Sequence, residues 1–269
     1  MSDQAYYVPL SAGTDGVERF ASTPLTASTW ADTMQHGAPP SALLVRALER
    51  CAQRPDTRLT RVVVEILGPV PIDDIEVRSW VERPGKRIEL VVAELWATGP
   101  DGAARAVARG TGWRMQTVDT TAVVHTADPM LAPVSAGHEL PMEGPFWGSG
   151  FVTSLDWRWL ADIGCEGPGQ VWVRPNPVLV EGESLTPIQR LFSVVDVSNG
   201  VGAKIRPDEW TFLNTDLTVH LFRVPDGEWI GLSSETSYGP DGVGMCAGVV
   251  YDETGAVGRI SQTVQVRAR

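Results

Sequence analysis

Val and Ile alternate with polar residues through successive stretches that follow Arg54 and Pro55: LTRVVVEILGPV, DIEVRSWVERPG, KRIELVVAELWATG and ARAVARGTGWRM. An apolar period of two, broken by Gly, Pro and Asp, predicts neighbouring strands of one antiparallel sheet. The segment before them has another period. In HGAPPSALLVRALERCAQ, Leu43, Leu44, Ala47, Leu48 and Cys51 recur at helical spacing. Pro39 and Pro40 suit a first turn, where a missing N–H costs nothing. A helix from about Pro40 to Gln53 is expected, followed by a sheet that wraps it, which is an α+β unit.

The same order returns later in the chain. At a period of about 153 residues, the segment IEVRSWVERPGKRIELVVAELWATGPDGAARAVARGTGWR lies over EWIGLSSETSYGPDGVGMCAGVVYDETGAVGRISQTVQVR almost without gaps. Gly102 and Gly255 fall in corresponding hairpins, and Arg114 and Arg267 close corresponding strands. FVTSLDWRWLADIG and GQVWVRPNPVLV read as strands that open the second copy. A helix from Leu185 to about Ser198 comes next, with Pro187 in its first turn and Asn199-Gly200 as a stop signal. The organisation expected is one unit over 1–115, an aperiodic connector over 116–148 and a second unit over 149–269.

Composition narrows the partners. The formal charge is −11 and the 22 Lys and Arg are scattered, so a nucleic acid or an anionic membrane is an unfavoured partner. The N-terminus lacks a basic flank followed by an apolar run, and no stretch approaches a membrane span, so a cytoplasmic protein without membrane insertion is expected. Cys51, Cys165 and Cys246 are widely spaced and suit reduced, mostly buried thiols. His36, His125, His138 and His220 are isolated, so no metal site is expected, and no cofactor. A serine nucleophile has no G-x-S-x-G frame; GSG at 148–150 lacks the strand–turn–helix setting.

The candidate chemistry is confined to the second copy. Asp216, Ser237 and Gln262 fall on three of its strands, whereas the corresponding positions of the first copy are Val63, Pro84 and Arg109. Asp is depleted in strands, so Asp216 is either a residue at the sheet rim or a carboxylate kept for chemistry. Gly37 and Ala38 precede the first helix, where free amides and the positive dipole end could hold an oxyanion; a plain turn capped by His36 is the other reading. Trp157 and Trp159 flank Arg158 as strand residues would, packing a core or walling an apolar pocket.

These segments resemble the double hot-dog acyl-CoA thioesterases of the type II class. WADTMQHGAPPSALLVRALE is similar to that family's first-helix signature, and TDLTVHLF, SSETSYGPDG and GRISQTVQVR to its second core. The resemblance implies a tandem (double) hot-dog with two central helices packed on one continuous antiparallel sheet. It implies hydrolysis of fatty acyl-CoA to free fatty acid and CoA, without metal or cofactor. In that family an Asp, a hydroxyl residue, usually Thr, and a Gln activate the water; the positions implied here are Asp216, Ser237 and Gln262. Two departures stand out: Ser occupies the Thr position at 237, and Ala38 replaces the second glycine of a common HGG pattern. His36, Gly37 and Ala38 would bind substrate and oxyanion. Lys204, Arg206, Arg267 and Arg269 are candidates for the CoA phosphates, which need local cations on an acidic protein. A non-catalytic acyl-CoA binding protein, and a hydratase or dehydratase using His36, remain alternatives, and homo-oligomer formation is left open.

Overall fold

The computed structural model describes residues 4–11, 17–99, 101–141 and 150–269. Strands β1 (Ala5–Pro9) and β2 (Glu18–Ser22) precede helix α1 (Ala38–Arg50). After it run β3 (Thr57–Ile66), β4 (Asp74–Arg83), β5 (Ile88–Thr98) and β6 (Ala104–Gln116). The second half opens with β7 (Leu155–Ala161), β8 (Gly169–Pro175) and β9 (Val178–Val180), then α2 (Pro187–Phe192) and α3 (Ser198–Val201). It closes with β10 (Trp210–Asn214), β11 (Asp216–Leu221), β12 (Ile230–Tyr238), β13 (Val243–Asp252) and β14 (Gly255–Ala268).

All these strands belong to one sheet, in which β11 pairs antiparallel with β3 through Leu217 opposite Val64 and Val219 opposite Val62. Outward from that seam the order is β3-β6-β5-β4 on one side and β11-β14-β13-β12 on the other. This mirrored order is the spatial form of the sequence repeat, because equivalent strands take equivalent places in each half. One pairing departs from the antiparallel expectation: β9, from the second half, runs parallel to β1, with Ala5 opposite Val178. The sheet is therefore mixed at that edge.

Helix α1 starts two residues before the expected Pro40 and ends at Arg50. Every residue from Ala38 to Leu48 is buried, so the helix is enclosed rather than amphipathic in the ordinary sense. Arg46 sits inside that enclosure, 2% exposed, with its guanidinium fork on Glu18 at 2.9 Å and Glu183 at 2.8 Å. A buried cation requires such pairing. It also ties together residues of the two halves.

The second helix differs more. A capping box between Thr186 and Gln189 starts α2 as the Pro187 signal predicts, but regular helix stops at Phe192. Val194 adopts φ −132°, and Val195–Val197 form a 3₁₀ turn before α3 begins. Three valines in a run of four crowd a helical backbone, which is a physical reason for the break. Its effect is to set Asp196 on a tight turn, 2% exposed. Within the expected connector, residues 117–141 carry only short 3₁₀ turns and a bridge from His138 to Trp159, while 142–148 lie outside the described residues. Among the described residues no helix is long and apolar enough to cross a membrane.

Candidate active site

The start of α1 meets the 3₁₀ turn of the other half. Gly37 is the residue just before the helix, at φ −65°, so no unusual backbone angle demands a glycine there. Space does: a β-carbon at position 37 would lie 2.5 Å from Oδ2 of Asp196. The helix start is also short of free donors, since Pro39 and Pro40 have no N–H and the Ser41 amide bonds to the Gly37 carbonyl at 3.1 Å. The amide of Ala38 donates to Nδ1 of His36 at 3.1 Å. Among the described residues, the Gly37 amide alone at this helix start has no acceptor.

Around Asp196 the contacts divide by oxygen. Oδ1 accepts from Nδ2 of Asn214 at 2.7 Å and from Nε2 of Gln262 at 3.1 Å. Gln262 also donates to the Asp196 main-chain carbonyl at 3.1 Å, which fixes the turn itself. Oδ2 receives neither donor; it faces Gly37 and lies 3.4 Å from Nδ1 of His36. Burial pushes the Asp196 carboxyl above the usual carboxylate range, against the opposing pull of His36, Asn214 and Gln262. Burial also lowers the His36 imidazole, which outweighs the attraction of Asp196. A neutral ring whose Nδ1 accepts from Ala38 carries its proton on Nε2. The ring is held flat against Phe151, centroids 4.3 Å apart.

Of the residues implied by the sequence, Gln262, His36, Gly37 and Ala38 converge here; Asp216 adjoins, near enough for its charge to help raise the Asp196 carboxyl, and Ser237 lies on the exposed face of β12. Oδ1 of Asp216 accepts from the Thr263 amide at 2.7 Å, in the gap where β14 changes partner from β10 to β11. Its main-chain carbonyl accepts from Asn214 at 3.2 Å. Asp216 thus replaces a missing ladder acceptor and steadies Asn214. Ser237 is exposed on β12; the buried neighbour Thr236 stands opposite Cys246, which stands opposite Gln262. A shift of one residue reverses the face of a strand, and the repeat could align strands without fixing that face. Cys246 is fully buried in this row, with its thiol pushed up to about 11. Oε1 of Gln262 is buried without a hydrogen-bond partner.

Asp196 and Asn214 are residues the sequence reading missed. A carboxylate inside VVDVS, among apolar neighbours and in a segment read as helix, was a signal of buried chemistry; its partner Asn214 sits two residues before Asp216.

Two cavities adjoin His36 and Trp30. One, of about 110 Å³, is walled by Trp157, Trp159, Ile163, Val201 and Phe212. The other, of about 240 Å³, lies between the halves, lined by Gly37, Val64, Pro69, Asn214 and Gln265. Of the four cations considered for CoA, Arg269 is at this site, its guanidinium 5.5 Å from the centroid of Trp30. The others are engaged elsewhere. Lys204 donates to the carbonyls of Cys165 and Gly167, Arg206 pairs with Asp208, and Arg267 donates to the carbonyls of Gly242 and Val266.

Residues 26–115 match the acyl-CoA thioesterase N-terminal domain family, and residues 131–266 the acyl-CoA thioesterase C-terminal domain family. No curated protein sequence matches the chain significantly. Among solved structures it is similar to a conserved protein of unknown function with a hot dog fold from Alicyclobacillus acidocaldarius, at 14% identity and TM-score 0.74 over 96% of each chain. It is also similar to a tesB protein from Mycobacterium avium subsp. paratuberculosis, at 13% identity and TM-score 0.68 over 93% of this chain and 92% of that one. An acyl-CoA thioesterase II, TesB2, from Mycobacterium marinum matches at 14% identity and TM-score 0.62, over 94% and 92%. At these identities the likeness identifies the hot-dog fold.

Proposed function

Because the chain belongs to the acyl-CoA thioesterase family, we propose that it hydrolyses acyl-CoA thioesters, with two hot-dog units in tandem sharing one composite site. The observation that carries this reading is the division of labour at Asp196. Oδ1 is saturated by Asn214 and Gln262, while Oδ2 lies against Gly37, which lines the cavity between the halves. A carboxylate with one oxygen anchored and one available is the arrangement a general base requires.

In the proposed reaction Oδ2 takes a proton from a water as its oxygen attacks the thioester carbonyl carbon. The carbonyl oxygen becomes an oxyanion that the Gly37 amide stabilises. Collapse of this intermediate breaks the carbon–sulfur bond, and the proton on Oδ2 passes to the departing sulfur, giving a carboxylic acid and CoA thiol. Nδ1 of His36, 3.4 Å from Oδ2, faces the position that receives the proton. Gln262, by donating to Oδ1 and to the main-chain carbonyl of Asp196, holds the carboxylate in place. Asn214, which anchors Oδ1 of Asp196, completes the polar set in this reading in place of the exposed Ser237.

The first copy supplies the oxyanion donor and the second supplies the carboxylate, Asn and Gln, so one productive site per chain follows. The acyl group enters the smaller, aromatic-walled cavity, and the thioester arm lies in the cavity between the halves, with Arg269 toward the CoA phosphates. At about 110 Å³ the acyl cavity is smaller than the ~150 Å³ engineered cavity that takes up benzene, which favours short acyl groups. The test is free-thiol release from acyl-CoAs in water labelled with ¹⁸O. One labelled oxygen in each carboxylate product is expected, and absence of hydrolysis across all acyl classes would refute the reading.

A further inference from the structure

The cations are scattered along the sequence, and the joining of the two halves collects some of them. On the sheet face turned away from α1, Trp113 of β6, Arg61 of β3, His220 of β11 and Arg259 of β14 stand in direct register across the seam. Alternation sets the face: Val62, next to Arg61, is buried opposite Gly112, against which Leu48 of α1 lies. Elsewhere this outer face pairs opposite charges, since Arg109 stands opposite both Glu65 and Glu94. At the seam it does not. Two guanidinium cations sit one strand apart with a protonatable ring between them, and like charges close across a sheet are destabilising. Asp128 of the connector takes Arg259 at 2.5 Å; among the described residues no carboxylate pairs with Arg61 or His220.

The row lines an open cavity of about 860 Å³. Arg58 adds a third guanidinium to it, fixed in place by donating to the carbonyls of Leu221 and Phe222 at 3.1 and 2.7 Å. The lining also holds His125 and Asp128 from the connector, and the apolar Trp113, Met115 and Phe222, the last two with much of their surface exposed. Cations beside an apolar trough suit a ligand that is itself divided. We propose that this cavity is a second binding site, separate from the site at Asp196, for a single-tailed amphiphile with an oxyanion head, a carboxylate or a phosphate monoester. The head lies on the row of Arg61, His220 and Arg259 and relieves its repulsion, and the tail covers Met115 and Phe222. An inorganic anion gains only the first contact and an alcohol only the second. The proposal stands independently of the thioesterase reading.

The test is calorimetry with decanoate, decyl phosphate, decanol and inorganic phosphate, each monomeric in solution, on wild type, Arg61→Gln and Phe222→Ser. Decanoate or decyl phosphate is expected to bind wild type at least about tenfold more tightly than decanol or inorganic phosphate, and the arm that binds identifies the head. Arg61→Gln, which removes a like charge from an outer face, should melt no lower than wild type and should weaken the amphiphile at least about tenfold, since charge-assisted hydrogen bonds are the strong ones. Phe222→Ser should weaken it severalfold through the tail. In ¹H–¹⁵N spectra the His220 ring, assigned through His220→Gln, should shift on titration with the amphiphile. Binding that both substitutions leave unchanged, with the His36 ring moving and the His220 ring still, would put the amphiphile at the Asp196 site and overturn the proposal. Decanol binding as tightly as the charged amphiphiles would overturn it as well. So would a dimer of this chain that dissociates in Arg61→Gln and takes up no amphiphile, because the face would then belong to a second copy.

Discussion

The backbone of Gly37 and the carboxylate of Asp196, which come from opposite halves of the chain, are in such close contact that a single methyl group cannot be placed between them. A β-carbon 2.5 Å from Oδ2 must displace either the helix start or the carboxylate. Because φ at Gly37 is ordinary for any residue, Gly37→Ala should fold, at a cost far below that of a strained backbone. Its kcat should nevertheless fall by about 100-fold or more, since misplacing reacting groups by about 1 Å costs on that order. Circular dichroism together with thiol release checks this; unchanged kcat would mean that the contact is unrelated to the chemistry.

The electrostatics of Asp196 give a pH dependence with a definite sign. Its carboxyl titrates above the ordinary value of about 3.9 because burial disfavours the charged form. The base must be ionised, so the acidic limb of kcat should be centred above the usual carboxylate range. For stability the direction is opposite. A carboxyl whose folded pKa exceeds its unfolded one contributes stability below the unfolded pKa, and that contribution is lost as pH rises through the folded pKa. At neutral pH the buried charge is therefore a liability. Asp196→Asn, whose amide oxygen can still accept from Asn214 and Gln262, should raise Tm at neutral pH, with the gain shrinking as pH falls through the folded pKa. A Tm that drops at neutral pH would show that the charge itself holds the turn together.

The face of β12 yields a further expectation. Ser237→Ala changes an exposed side chain and should alter kcat/KM by less than about twofold, since surface changes are usually small. Thr236→Val alters the buried row of Cys246 and Gln262 and should reduce activity measurably more. The reverse ranking in thiol release would mean that the outer face of this strand carries function.

What could be read in the sequence follows from what periodicity encodes. The repeat gave equivalent strands, and they occupy equivalent places on either side of the β3–β11 seam. The helix start at His36–Gly37 was legible because two prolines and an apolar stripe mark it, and Gln262 because it interrupts an alternating strand. Ser237, given its role by the family resemblance, lies on the exposed face of β12, a face that alignment of two copies along a strand does not decide. Asp216, whose catalytic role is implied by the family resemblance, accepts through Oδ1 from the Thr263 amide where β14 changes partner. Asp196 stayed hidden because helical spacing continues through Val194–Ser198 on paper, whereas the valine run breaks the helix and turns the carboxylate inward. The pairing of β9 with β1 joins Ala5 to Val178, residues from different halves of the chain, and no local pattern specifies it.

Arg46 joins the halves by a different means. It is 2% exposed and paired with Glu18 and Glu183, so removing its partners leaves a buried cation short of compensation. The Glu18→Gln/Glu183→Gln double substitution should cost about 3–5 kcal/mol in urea unfolding. Arg46→Met, which removes the charge and keeps much of the volume, should cost less. An Arg46→Met loss equal to that of the double variant would mean that the ion pairs themselves, rather than the unpaired charge, set the stability.

The proposed mechanism makes Asp196, and not Asp216, the general base. It is tested most directly by measuring kcat for acyl-CoA hydrolysis in Asp196→Asn and Asp216→Asn beside wild type, with binding of a non-hydrolysable S-alkyl-CoA as the control for an intact site. Asp196→Asn should bind the analogue nearly as wild type does and lose about 10²–10⁴ in kcat, the usual contribution of a general base. Asp216→Asn should retain most of its turnover, because its amide oxygen can still accept from Thr263. Retained turnover in Asp196→Asn, with the loss found in Asp216→Asn instead, would make Asp216 the base and Asp196 a structural residue.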